Sequence, residues 1–251
     1  MVRLLLTVVL CTVALVAPAP TTTPSADRAQ AFERVYSEGR WLNGADGASA
    51  CASGWSDVAS GQGVAALRAV VSVVRTFNVR SVADVPCGDG CFAGALLSAL
   101  RVNETEWTPS ISYVGVDIVR SLVERNRARL GDSSTHFLEA DVVSGADSIP
   151  AAELLFSRQM LQHMCNEDAL RFIRLAARSS ARFVMLTTFM TSYDFVNGDI
   201  PCASGGYRPQ DLTKPPFSLP APLLLFNEGY PVDSRVALGL WPVKTLRRRL
   251  L

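Results

Sequence analysis

The stretch that most constrains this chain is Ser81-Val82-Ala83-Asp84-Val85-Pro86-Cys87-Gly88-Asp89-Gly90, leading into an apolar helical run from Cys91 to Leu100. A short β-like segment ends in an acidic residue, turns through two closely spaced glycines and enters a helix. Glycine lets backbone approach a ligand closely, and a helix N-terminus presents unpaired N–H groups. The combination suits a nucleoside-bearing cofactor. Glycine turns between strand and helix are common, so the weight rests on the regular spacing of the elements beyond the turn.

Those elements alternate. A short amphipathic helix is expected over Asp27 to Gly39, with Phe32, Val35 and Tyr36 on one side, and a longer one over Gly63 to Phe77. Strands are expected at Val82 to Val85, Ile111 to Val116, His136 to Glu139, Ala152 to Phe156 and Phe183 to Thr188. Between them fall helices at Cys91 to Leu100, Arg120 to Leu130 and Asp168 to Ala177. This predicts an α/β, Rossmann-like, doubly wound and mostly parallel sheet with helices on both faces. Past Thr188 the rhythm breaks into a long Gly/Pro/Asp-rich loop, Tyr193 to Pro222. Two further apolar runs, Leu223 to Phe226 and Val236 to Trp241, predict a terminal antiparallel pair that completes seven strands. No repeat or second domain is visible, so residues 27–251 are expected to form one domain.

In such sheets ligands bind outside the carboxyl ends of the strands. Asp84 ends the first strand, Asp117 the second, and Asp141 follows the third. Asp117 is placed to accept from ribose hydroxyls. Asp141 is placed to hold an adenine amino group, with Ile118 and Val142 on the ring faces. A single strand-end Asp has an ordinary use as a cap; three in succession after a glycine turn point to a nucleoside.

On these residues the chain resembles the class I S-adenosylmethionine-dependent methyltransferases over roughly Gly63 to Thr188. Their first motif, acidic-x-Gly-x-Gly-x-Gly, reads here from Asp84 to Gly90 with Pro86 in place of the first glycine and Gly88 and Gly90 retained. Ser157-Arg158-Gln159-Met160-Leu161-Gln162-His163 is similar to the family's Arg-Asp-x-Leu-Gln-His segment, with Gln159 where the acid is expected. A narrower resemblance joins Trp55 and Ser60-Gly61-Gln62-Gly63 to Asn197-Gly198-Asp199-Ile200 and to Gly205-Gly206-Tyr207-Arg208-Pro209-Gln210-Asp211-Leu212. These are similar to the entry and late elements of a methyltransferase-like group of unidentified substrate. The resemblance implies S-adenosyl-L-methionine as cofactor, held by Asp84, Gly88, Gly90, Asp117, Ile118, Asp141, Val142 and Ser157. It implies methyl transfer; the acceptor is not identified by it, and a small molecule or a glycan hydroxyl is expected. Because the methyl is already activated, such a protein supplies proximity, orientation and water exclusion.

An oxygen nucleophile also needs its proton removed. His163 is the candidate base, since an ordinary histidine titrates near ~6.5; the alternative is that it caps a helix or packs beside Arg158. Arg158 either binds an anionic or carbonyl group of the acceptor or pairs with a neighbouring Asp. Tyr207 and Arg208 are expected to close over the site from the late loop, flanking the acceptor; otherwise Tyr207 packs and Arg208 pairs with Asp211. Trp55 either shields the cofactor or packs. His136 and the run Met160, Leu161, Met164 read as structural. No metal ligand set is expected: Cys87 and Cys91 lack a second pair at zinc-site spacing and read as packing thiols near the turn.

The N-terminus suggests an address. Arg3, the apolar run Leu4 to Val16 and Ala17-Pro18-Ala19 form the pattern of a secretory signal peptide over residues 1–19, with residues 20–26 a flexible spacer. The run is short for a membrane span of ~20 residues. A signal anchor or an organelle-targeting sequence are the alternatives. Five cysteines come after Cys11, an odd number, so at least one has no partner within the chain. Asn103-Glu104-Thr105 is a glycosylation sequon. S-adenosylmethionine is made in the cytosol, so a luminal enzyme would need its cofactor imported. With a formal net charge of +1 nothing suggests an electrostatic nucleic-acid binder, and no nucleic-acid partner is expected; Arg247-Arg248-Arg249 reads as a solvated C-terminus.

Two competing functions remain. Gly88-x-Gly90-x-x-Ala93 also fits a nicotinamide dinucleotide turn, but Asp117 comes later than the usual ~20 residues beyond it. A methyltransferase fold that kept its shape and lost turnover is the other, in keeping with Pro86 and Gln159.

Overall fold

The computed structural model describes residues 24–41, 51, 61–101, 111–145, 149–229 and 233–251. The signal-like segment, Trp55 and the 103–105 sequon lie outside them. The elements run α1 (Pro24–Ser37), α2 (Gly61–Thr76), β1 (Ser81–Asp84), α3 (Cys91–Arg101), β2 (Ser112–Asp117), α4 (Arg120–Leu130), β3 (Thr135–Glu139), β4 (Leu154–Ser157), α5 (Asn166–Arg178), β5 (Phe183–Phe189), β6 (Leu224–Asn227), β7 (Val236–Pro242) and α6 (Val243–Leu250). The seven strands form one sheet in the order β3-β2-β1-β4-β5-β7-β6. Five are parallel, and β7 runs antiparallel between β5 and β6. This is the doubly wound, Rossmann-like sheet with a terminal antiparallel pair that the sequence predicts.

The strands are apolar on both faces because helices cover both. Successive side chains point to opposite sides. Val184 and Leu186 of β5 therefore join Phe172 and Ile173 of α5 in one core, while Met185 meets Val70 and Val73 of α2 and Leu96 of α3 in the other. Each such fully buried side chain contributes ~1.5–3 kcal/mol. The order reverses between β1 and β4, where connections leave in opposite directions. That crevice, at the carboxyl ends of β1, β2 and β4, is where the glycine turn lies.

One expectation is refined and another corrected. The C-terminal arginines are exposed to solvent, as expected, but they lie on a helix and not in a tail. They close α6, whose Val243 and Leu246 are buried. Arg247 donates to the carbonyls of Ala177 (3.1 Å) and Ser179 (3.0 Å) at the end of α5. Cations suit both the carbonyl-rich end of α5 and the last turn of α6, and Arg247 ties the two helices together. Cys91 is no packing thiol: it is disulfide-bonded to Cys51, and Cys165 to Cys202, and among the described residues Cys87 is the buried free thiol. Pairing of this kind is not deducible from spacing.

Candidate active site

The β1–α3 turn is held by hydrogen bonds converging from three elements. Gly88 and Gly90 take positive φ of 55° and 77°. At Gly90 a Cβ would lie 2.3 Å from Asn126 Oδ1, so only glycine fits. The Gly88 N–H donates to Asp117 Oδ2 (2.9 Å). The Gly88 carbonyl accepts from Asn126 Nδ2 (2.8 Å) and the Asp89 carbonyl from Arg129 (3.0 Å), both on α4. Asp89 Oδ1 accepts the Cys91 N–H at the start of α3 (3.0 Å).

The turn forms one wall of a cavity of about 600 Å3 at the carboxyl edge, within the range of small-molecule sites. Asp84, Gly88, Asp117, Ile118, Asp141 and Val142 all line it. Asp84 is buried and accepts the Tyr113 hydroxyl (2.6 Å). Burial pushes its carboxyl up to about 7, against the lowering effects of that hydroxyl and of Arg158. Burial likewise raises Asp117 to about 6, opposed by N–H bonds from Val119, Gly88 and Ile118. Asp117 thus has a second duty, bracing the glycine turn. Asp141 is also engaged. Its Oδ2 pairs with Arg28 of α1 (2.7 Å), which reaches Asp168 as well (3.1 Å), and its Oδ1 accepts the Val143 N–H (3.1 Å).

Arg158, His163 and Tyr207 line the same cavity. Arg158 lies over the Phe92 ring (5.1 Å) and pairs with Glu228 (2.7 Å). Its partner is therefore a glutamate just past β6, where a neighbouring Asp was expected. Gln159, standing where the family's acid is expected, donates to the other oxygen of Glu228 (3.2 Å). His163 closes the single 3-10 turn Leu161–His163. Its Nδ1 sits 2.8 Å from the Gly206 carbonyl. A carbonyl only accepts, so Nδ1 carries the proton and Nε2 the lone pair. Burial holds the imidazole down at about 4, so it is neutral at neutral pH. Trp41 and Tyr207 flank it at centroid distances of 5.0 and 5.5 Å.

Three residues stand away from the expected positions. Arg208 is not among the lining residues. Its guanidinium donates to the carbonyls of Met164 and Gly198 and to Asn166 Oδ1, tying the late loop to the start of α5. Asp211, offered as its alternative partner, instead accepts from Thr191 and Thr213. Ser157 and Gly90 lie behind the lining. Ser157 Oγ contacts Met160 Sδ (3.9 Å), and Gly90 serves the turn. Trp55 is outside the described residues.

Sequence reasoning missed the roof. Helix α1 crosses the carboxyl edge and carries Arg28, Phe32 and Tyr36 into the lining, with Trp41 just beyond its end. The signal was a stripe at i, i+4 and i+8 on an otherwise polar helix. Glu228 sits in a turn-like linker whose sequence says nothing of its burial.

No family model matches this sequence, and no curated protein matches it. Solved structures do. The Burkholderia thailandensis 1,6-didemethyltoxoflavin-N1-methyltransferase, crystallised with that compound and S-adenosylhomocysteine, superposes with a TM-score of 0.57 at 15% identity. The match covers 89% of this chain and 92% of that one. The methyltransferase domain of bacterial CtHen1 gives 0.52 at 16% identity, over 72% and 99% of the two chains. The fold is thus the Rossmann-like methyltransferase fold. Among the described residues no helix is long and apolar enough to cross a membrane.

Proposed function

We propose that this chain is an S-adenosylmethionine-dependent methyltransferase acting on a small-molecule acceptor. The observation that carries this is a single cavity containing both halves of the required chemistry. Strand-end Asp84 and Asp117 lie beside a glycine turn in its wall, and a neutral histidine lies in the same lining. The residues fit the cofactor. Gly88 brings backbone to the wall, Asp117 keeps a buried carboxylate there for ribose hydroxyls, and Ile118 and Val142 offer apolar faces for a base. When bound, S-adenosylmethionine supplies an electrophilic methyl. The chain's own residues do the rest. The α1 roof excludes water, Arg158 is held rigid by Glu228 against Phe92, and His163 Nε2 takes the acceptor's proton. Both aligned neighbours being methyltransferases supports the reading.

The test is calorimetric titration of the full chain with S-adenosylhomocysteine and with NAD. Binding of the former is expected. Tight NAD binding without it would overturn the proposal.

The signal-like residues 1–19 further suggest entry into the secretory route. Two disulfides support this, since such bonds persist in oxidising compartments. Mass spectrometry of the native protein should find the chain starting after Ala17 or Ala19; a soluble cytosolic protein retaining Met1 would end the idea.

A further inference from the structure

We propose that the acceptor is a planar aromatic molecule whose methyl-accepting group is a hydroxyl on the ring, seated against an aromatic wall supplied largely by the N-terminal helix. This rests on the methyltransferase reading above. Five rings from three separate segments converge on one side of the cavity. Trp41 packs on Phe32 (6.3 Å) and edge-on against Tyr36 (5.1 Å), then meets His163 (5.0 Å), which meets Tyr207 (5.5 Å). Phe92, packed on Phe156 at 5.6 Å, is a further ring in the same lining. Offset and edge-to-face ring contacts suit a flat π-system, which loses little conformational freedom on binding.

The polar groups argue in the same direction. A sugar needs many hydrogen bonds, and each hydroxyl buried without one is costly. The charged and amide side chains around His163 hold protein partners. Arg158 and Gln159 bond Glu228, Gln159 also accepts from Gln162, and Asp233 pairs with Arg235. Arg208 is spent on the late loop. Among the described residues this leaves a largely apolar, ring-lined space in which His163 Nε2 is the candidate proton acceptor, beside the Tyr207 hydroxyl. That base is weak, because burial holds its imidazole at about 4. Proton transfer to it is far less uphill from a phenol, near ~10, than from an aliphatic hydroxyl, which is about as weakly acidic as water. In the reaction the ring oxygen forms its bond to the methyl carbon as the sulfur–carbon bond breaks. The hydroxyl proton passes to Nε2, leaving an aryl methyl ether and S-adenosylhomocysteine.

The test uses the full chain saturated with S-adenosylhomocysteine and titrated with 2-naphthol, 4-nitrophenol and methyl α-D-glucopyranoside. Methyl transfer from S-adenosylmethionine to each is followed by mass spectrometry. At least one phenol should bind and the glucoside should not. Trp41→Ala and Tyr207→Ala should each weaken phenol binding about tenfold, while S-adenosylhomocysteine affinity moves by less than about twofold. Tyr207 is half exposed, at 55%, so its truncation keeps the test valid even if Trp41→Ala misfolds. Failure of the parent to bind S-adenosylhomocysteine would sink the cofactor reading itself. Intact cofactor binding overturns the acceptor inference alone if neither phenol binds in a way sensitive to these rings, or if methyl goes to the glucoside in their place.

Discussion

The Nε of Arg158 donates to Oε2 of Glu228 across 2.7 Å, and the two side chains are 5% and 0% exposed. One residue follows β4 and the other follows β6, so the pair locks the middle of the parallel sheet to the antiparallel end. Gln159 joins it through the second carboxylate oxygen. Removing one member of a buried pair leaves the other charge uncompensated, at ~3–5 kcal/mol. Glu228→Ala should therefore lower the unfolding free energy measured in urea by that amount, and Glu228→Gln by less, because the amide oxygen still accepts. A midpoint equal to the parent's would show the pair to be idle.

The parts of this architecture that were legible in the sequence are those set by local patterning. The expected strands Val82 to Val85, Ile111 to Val116 and Phe183 to Thr188 are β-rich runs bounded by turn residues and fall within a residue of the observed ones, and the expected helix Arg120 to Leu130 matches α4. The acids at strand ends could be placed directly, because topology alone sets them at the carboxyl edge. The illegible parts depend on distant partners. Arg28 carries no local signal, because its partners Asp141 and Asp168 lie more than a hundred residues away in the chain. Arg208 looked like a substrate ligand because its neighbours, Met164, Asn166 and Gly198, are brought together only by folding. The apolar spacing Val243, Leu246, Leu250 of α6 was present but hidden by the three arginines.

Asp117 has two roles that one substitution tests together. It accepts N–H bonds from Gly88 (2.9 Å) and Val119 (3.0 Å) and faces the cavity. Asp117→Ala removes a charged acceptor for ribose hydroxyls and frees the turn. S-adenosylhomocysteine affinity should fall by ~1–3 kcal/mol in calorimetry. Unchanged affinity would remove Asp117 from the cofactor site.

Asp84 makes stability depend on pH in an unusual direction. Its folded value, about 7, lies above the ordinary 3.8 because the carboxyl is buried. The folded state thus holds a proton that the unfolded state has released. Its stabilising contribution is complete below ~3.8 and is lost as pH rises towards 7. Asp117, at about 6, acts in the same sense. His163, held at about 4, acts oppositely and gains with pH up to its ordinary 6.5. Comparing parent with Asp84→Asn cancels the contributions of the other two. The variant's Tm relative to the parent should rise steadily from pH ~4 to ~7. Parallel Tm curves would mean that Asp84 does not titrate in this range.

Arg28 is the clasp of the roof. Its Nε and one terminal nitrogen reach Asp141 Oδ2 (3.1 and 2.7 Å), and the other reaches Asp168 Oδ2 (3.1 Å). All three side chains are 10% exposed or less. One cation thus balances two buried carboxylates from the β3 end and from α5, and it anchors the helix that carries Phe32 and Tyr36. Arg28→Ala leaves two like charges facing each other and releases α1. Arg28→Lys keeps the charge but loses the planar fork that reaches both partners. Trypsin should then cut at Arg34 and Arg40 much faster in Arg28→Ala, at an intermediate rate in Arg28→Lys, and slowly in the parent, before the core is attacked. Phenol binding should weaken in the same order, since the wall moves with the helix. Equal cleavage rates in all three proteins would show that α1 is held by its apolar face alone and that the clasp is dispensable.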